Sequence, residues 1–255
     1  MRGQQLAIFL DYDGTITPIA ERPDRATLDQ SQREKLQELA AAWPTFVLSG
    51  RAWDDVCRMI DVPAIQCVGA HGLDSGPDTP PELAQQLTDV PRTIESAATE
   101  LSIRLANLPD LIIENKAVAL AVHYRRVAPN FIRTIEMAVA ETAARWPALK
   151  ITTGKMVFEL RPDLDWNKGS ALLWLLSSRV AAKPAIPIFI GDDLTDEDAL
   201  EAVAGRGIGI VVEGRRPTAA HYSVRDVAEV YELLALICAL RTFSNPPGVF
   251  GEGPV

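Results

Sequence analysis

Cysteine is scarce in this chain: three residues in 255, Cys57, Cys67 and Cys238. Their number is odd and their spacing matches no metal knuckle. Neither a disulfide framework nor a thiolate centre is expected, and the reading is of reduced thiols in or near the core of a cytoplasmic protein. A basic excess is missing too. Lys and Arg number 25 against 34 Asp and Glu, giving a net charge of −9. That argues against a nucleic-acid backbone or an anionic membrane as partner. No apolar run is long enough to span a bilayer, and Met1-Arg2-Gly3 leads almost directly into the first strand without a signal peptide. No internal repeat is visible. Histidine is limited to His71, His123 and His221, so a histidine-rich metal centre is unsupported, and His221 reads as a surface residue.

What is present is an ordinary globular composition, 47% hydrophobic and 23% charged, long enough for one large domain or two modest ones. Residues 6–10, Leu-Ala-Ile-Phe-Leu, read as a buried parallel strand that runs into Asp11-Tyr12-Asp13-Gly14-Thr15. Two more short apolar strands follow, 45–48 and 64–68, separated by helices over 27–42 and after Arg51. They end in Ser49-Gly50-Arg51 and Gly69-Ala70-His71-Gly72. Strands alternating with helices predict a parallel sheet with helices on both faces and a ligand site beyond the strands' carboxyl ends.

Four prolines in 75–91 mark a boundary. Beyond it the pattern is helix (91–107), strands 111–114 and 117–125 around a turn at Asn115-Lys116, helix (129–146), then strands 150–153 and 156–160 around Gly154-Lys155. This predicts a small α+β unit with an antiparallel sheet. The parallel pattern then resumes. Asn167 caps a helix over 168–179, a strand over 186–190 ends in Gly191-Asp192-Asp193, and Thr195-x-x-Asp198 starts another helix. A strand over 208–212 is followed by a helix begun by Ser223-x-x-Asp226, with Val227, Val230, Leu234, Ile237 and Leu240 on its buried side. The tail from Ser244 reads as loose. The expected organisation is a core of 1–78 and 160–255 interrupted by an insert over 79–159 that acts as a lid.

The strand tips carry the chemistry. Asp11, Asp13 and Asp192 supply carboxylates without nearby His or Cys, which suits Mg²⁺. Ser49, the helix N-terminus behind Gly50 and the Lys168 ammonium suit a phosphate. Such a set fits phosphoryl transfer through an aspartyl phosphate. Asp11 attacks phosphorus, Asp13 protonates the leaving oxygen and then activates water, and Lys168 offsets negative charge. Asp193 and Asp196 stand open between metal ligands and groups behind the ligands, and Arg51 between a site role and a surface ion pair.

The Asp11-to-Thr15 stretch, Ser49, Lys168 and the Gly191-Asp192-Asp193-x-Thr195-Asp196 tip resemble, in order, the four motifs of haloacid-dehalogenase (HAD) superfamily phosphatases. That resemblance implies a Rossmann-like α/β core with a type 2 cap, and a metal held by the Asp11 side chain, the Asp13 backbone carbonyl and Asp192. Glu114-Asn115-Lys116, His123-Tyr124-Arg125, Gly154-Lys155 and Glu159-Leu160-Arg161-Pro162 resemble the cap of trehalose-6-phosphate phosphatases. It implies that Arg51, Glu114, Lys116, His123, Arg125, Lys155 and Glu159 face a sugar phosphate. One departure is that His71-Gly72 is followed by Leu73-Asp74 where that family often has Glu. The resulting expectation is a monomeric, Mg²⁺-dependent trehalose-6-phosphate phosphatase. The rivals are the same chemistry on sucrose 6-phosphate, glucosyl- or mannosyl-3-phosphoglycerate or a hexose phosphate, and a non-catalytic regulatory domain on the same fold.

Overall fold

The computed structural model describes residues 5–20, 22–180, 184–214 and 217–244. Residues 245–255, most of the expected loose tail, lie outside it. β1 (Gln5–Leu10) sits at the middle of a six-stranded sheet, between β2 (Thr45–Leu48) and β8 (Ala185–Gly191). β3 (Gln66–Val68), β9 (Ile208–Val212) and β10 (Tyr222–Val224) complete the order β10-β9-β8-β1-β2-β3, all parallel.

The uninterrupted apolar run of β1 follows from burial on both faces. Ile8 and Leu10 pack with Leu36 and Leu39 of α1 (Gln30–Ala42), Val56 and Ile60 of α2 (Trp53–Ile60) and Val230, Leu234 and Ile237 of α8 (Val227–Ser244). Ala7 and Phe9 point the other way, against Leu172 and Leu175 of α6 (Lys168–Arg179) and Leu200 and Val203 of α7 (Glu197–Val203). Both clusters are sealed at the sheet, so the polar tips beyond Leu10, Leu48 and Gly191 are left at one rim.

The second sheet has four antiparallel strands in the order β4-β5-β7-β6: β4 (Ile112–Asn115), β5 (Leu120–His123), β6 (Leu149–Gly154) and β7 (Val157–Pro162). Leu120, Val122, Phe158 and Leu160 face α4 (Val90–Arg104) and α5 (Ile132–Arg145). Strand alternation therefore turns Glu114, His123 and Glu159 to the opposite face.

Several sequence expectations shift. Strand 117–125 shortens to Leu120–His123, because Lys116 N–H donates to Ala119 O (2.8 Å) and Ala117 turns left-handed (φ 64°). The proline-rich boundary holds a short helix, α3 (Pro81–Gln86), whose Leu83 packs with Leu87 and Val118. Ser223 does not open the last helix. It belongs to β10, paired with Val211, and Asp226 caps α8 by accepting from Glu229 N–H (2.9 Å). Leu240 is 53% exposed rather than buried. The cap at the β8 tip is Asp193, reciprocated by Asp196, not Thr195.

Candidate active site

β1 leads directly into Asp11, which is buried, and a sharp turn follows at Gly14 (φ 90°). A Cβ at Gly14 would lie 2.3 Å from Asp192 Oδ2, so only glycine lets the β1 and β8 tips approach this closely. Lys168, the first residue of α6, is 2% exposed and donates to Asp11 Oδ1 and to Asp196 Oδ1, both at 2.6 Å. Burial disfavours its charge, yet these two carboxylates outweigh burial and hold the Lys168 pKa well above its usual value. Burial pushes the Asp11 carboxyl well up, with Lys168 opposing.

Asp196 spends both oxygens. Oδ1 holds Lys168, and Oδ2 accepts from the backbone N–H groups of Asp192 and Asp193, each at 2.9 Å. It therefore stands behind the site and shapes the β8 tip. Asp192 differs. Burial and the neighbouring Asp196 push its carboxyl up to about 6, Lys155 Nζ lies 3.2 Å from Oδ2, and Oδ1 is buried without a partner. Oxygens of Asp11, Asp192 and Asp196 come within 4.8 Å of one another. An orphaned carboxylate oxygen in an all-oxygen acidic set fits a hard divalent cation.

Asp13 is held by Arg51 in a two-pronged ion pair (Nε–Oδ2 2.8 Å, Nη2–Oδ1 2.7 Å), and Arg51 Nη1 also reaches Asp55 Oδ2 at 3.1 Å. Arg51 N–H donates to Ser49 Oγ (3.2 Å), so residues 49–51 after β2 and the Asp13 carboxylate form one unit. The sequence flagged Asp13 and Arg51 separately. Their pairing was not legible, although Asp55, four residues on along the next helix, is at the spacing that supports such a contact.

Facing these tips is a cleft of about 220 Å³. Asp13, Gly50, Arg51 and Asp192 line it from the parallel sheet, and Glu114, Lys116, His123, Arg125, Lys155 and Glu159 from the antiparallel one. Asp11, Ser49 and Lys168 are buried rather than lining it. Glu114 pairs with His123 (2.8 Å), and Arg125, just past the end of β5, donates to Lys155 O (3.3 Å). Lys116 and Glu159 are themselves buried and paired at 2.5 Å, while the second Glu159 oxygen lies 3.0 Å from His71 Nε2. Asp74, where the family often has Glu, instead accepts from Gly76 N–H (2.8 Å) in its own turn.

Burial would raise the Glu159 pKa, but Lys116 and His71 outweigh it and hold the carboxyl well below the usual range. Burial keeps the His71 pKa low despite Glu159. The depressed Glu159 value means that the unfolded chain takes up this proton first, so the stability it contributes is lost as pH falls through the carboxylate range near ~4.3. The parent's thermal midpoint, taken relative to that of Glu159→Gln so that raised carboxyls such as Asp11 and Asp192 cancel, is expected to lead at neutral pH and to lose that lead through this range. Calorimetry on both proteins checks it; a difference that does not shrink as pH falls contradicts the arrangement.

A trehalose-phosphatase family model matches residues 9–228. The chain belongs to the trehalose-phosphatase family. It is 40% identical over 236 residues to the trehalose-phosphate phosphatase of Mycobacterium bovis, an alignment covering 90% of this chain. The chain spans about 60% of the length of that curated relative. A solved trehalose-6-phosphate phosphatase related protein superposes with a TM-score of 0.81 at 26% identity, covering 94% of this chain and all of its own. A HAD subclass IIB sugar phosphatase shares the fold, with a TM-score of 0.56 at 14% identity over 91% of this chain and 99% of its own. The family's fold is thus a HAD core with a cap, and a divalent metal is consistent with its acidic cluster. Among the described residues no helix is long and apolar enough to cross a membrane.

Proposed function

We propose that the chain hydrolyses trehalose 6-phosphate to trehalose and phosphate through phospho-Asp11. One observation carries the reading. The buried Asp11–Lys168 pair sits at the rim beneath a cleft whose opposite wall is the polar face of the inserted sheet. Family membership supplies the substrate class. In this reading residues 79–159 form a substrate-reading cap over a core of 1–78 and 160–255.

Lys168 holds Asp11 Oδ1 and leaves Oδ2 for phosphorus. The Asp11–P bond forms as the bond from phosphorus to the sugar oxygen breaks, and Asp13 gives that oxygen its proton. Water then attacks phosphorus, Asp13 takes its proton and the Asp11–P bond breaks. The Arg51 fork fixes the orientation of the Asp13 carboxyl for both proton transfers. Ser49 and the Gly50 backbone bind phosphate. A divalent cation, Mg²⁺ in this reading, would be held by Asp11, Asp192 and the Asp13 carbonyl and would offset charge between carboxylate and phosphate. Glu114, Lys116, His123, Arg125, Lys155 and Glu159 read the sugars, and Arg51 serves through Asp13. We also place the protein in the cytoplasm, as a monomer; its three free thiols fit a reducing compartment.

A panel of sugar phosphates assayed with Mg²⁺ tests the substrate. The expected result is trehalose 6-phosphate preferred by at least about tenfold in kcat/KM over sucrose 6-phosphate and the glycosyl phosphoglycerates, the discrimination that one or two lost polar contacts supply. Comparable turnover of sucrose 6-phosphate rejects it.

A further inference from the structure

The loop after β3 contains a residue that the chemistry above leaves unused. Ala70 and His71 are both left-handed (φ 48° and 57°), although neither is glycine. Such backbone persists only where its surroundings enforce it. Here the Ala70 N–H donates to Arg51 O (2.7 Å) and the His71 N–H to Ser49 O (2.9 Å), which ties the strained pair to the phosphate loop. The His71 ring lies over Gly50, where a Cβ would come within 2.6 Å of Cε1 and Nε2. Nε2 meets Glu159 Oε2 at 3.0 Å, and Nδ1 is buried without a partner.

We propose that His71 is a positioning residue for sugar recognition: it sets Glu159 and, through it, Lys116, and so joins the phosphate loop to the sugar-reading face of the cap. The proposal rests on the phosphatase reading above. Glu159 has two oxygens and two partners, Lys116 from its own sheet and His71 from the parallel core. Lys116 alone leaves the carboxylate free to rotate, whereas the second contact fixes its plane. With Nε2 as donor the ring is neutral, and its lone pair lies on Nδ1. The sequence pointed to the loop, through His71-Gly72, but gave no partner for it, because Glu159 lies far along the chain on another sheet.

The test compares two phosphomonoesters on the parent protein and on two variants. His71→Asn keeps a side chain that tolerates left-handed backbone but is too short to reach Glu159; His71→Gln restores an amide donor at similar reach. For His71→Asn the expected result is a KM for trehalose 6-phosphate raised at least tenfold. Its kcat/KM for p-nitrophenyl phosphate, which has no sugar to read, stays within about twofold. His71→Gln recovers most of the loss, and His71→Asn adds little on top of Glu159→Gln. Equal losses on both substrates, no loss on either, or additivity with Glu159→Gln overturn the proposal. A parent that cleaves p-nitrophenyl phosphate but not trehalose 6-phosphate rejects the substrate reading instead, and the same comparison then runs on the sugar phosphate it prefers.

Discussion

Asp11→Asn is expected to lower turnover by on the order of 10⁴-fold or more, with a thermal midpoint unchanged or raised. The two halves of that result have separate causes. The amide cannot form the acyl phosphate, and Ser49, Lys168 and the cleft wall cannot supply a replacement nucleophile. The fold, in contrast, loses a liability. Burial pushes the Asp11 carboxyl well up against the opposing pull of Lys168, so the charged form is held at a cost. Lys168 keeps its second partner, Asp196 at 2.6 Å, and is not stranded. Steady-state turnover and a thermal melt measure the two halves, and intact-protein mass after rapid quench reads the covalent intermediate. The parent is expected to show a phosphoryl adduct that the variant lacks. Near-normal turnover in Asp11→Asn removes the covalent scheme.

Lys168→Met produces the opposite balance. Activity falls, and the fold suffers as well. Two buried carboxylates, Asp11 and Asp196, then share a space from which their common ammonium has gone. Removing one partner of a buried ion pair costs about 3–5 kcal/mol. In a chain of this size that is roughly 10 °C of thermal midpoint. The sign with pH is specific. Without the ammonium the Asp11 carboxyl, already pushed up by burial, loses the group that opposes the rise, so protonation favours the fold more than in the parent. The deficit relative to the parent is therefore expected to narrow as pH falls toward the carboxylate range and to be full at neutral pH. Added Mg²⁺ should raise the variant's midpoint more than the parent's, because a cation on Asp11 relieves the same repulsion. A variant as stable as the parent at pH 7 shows that Lys168 is not the charge that holds these tips together.

The parallel core was legible because its signal is local. Five apolar residues ending in Asp11, and the same design at Leu48 and Ile190, are strands buried on both faces that stop at a polar rim. Chain alternation then dictated where the tips meet. The insert was legible as helices and hairpins, but not in detail. Left-handed Ala117 moved one turn, and pairing with Val211 turned the expected helix start at Ser223 into an edge strand. The first is a local turn, closed by Lys116 N–H on Ala119 O, that the residue types do not signal; the second is decided by pairing with another strand. At the site, the residue types announced Asp11, Lys168 and Asp192. They did not announce that Asp196 is fully engaged by Lys168 and two backbone N–H groups, that Arg51 grips Asp13, or that His71 reaches Glu159. Apart from the two backbone contacts of Asp196, which are local, those are contacts between side chains from segments distant in sequence.

The strand order has a consequence for how the molecule comes into being. β1 is paired along its whole length with β8, Gln5 opposite Ala185 through Leu10 opposite Ile190. The strand that leads into Asp11 therefore waits, once synthesised, for a neighbour made after the whole insert. At ~5–20 residues per second that interval is on the order of ten seconds or more. Until then the apolar face of β1 has β2 on one side and an open edge on the other, and Lys168 and Asp192 have not been synthesised. Assembly of the Asp11–Lys168–Asp192 cluster is thus deferred to late in translation, and nascent chains that end before Ala185 are expected to expose a hydrophobic edge suited to chaperone capture or to aggregation.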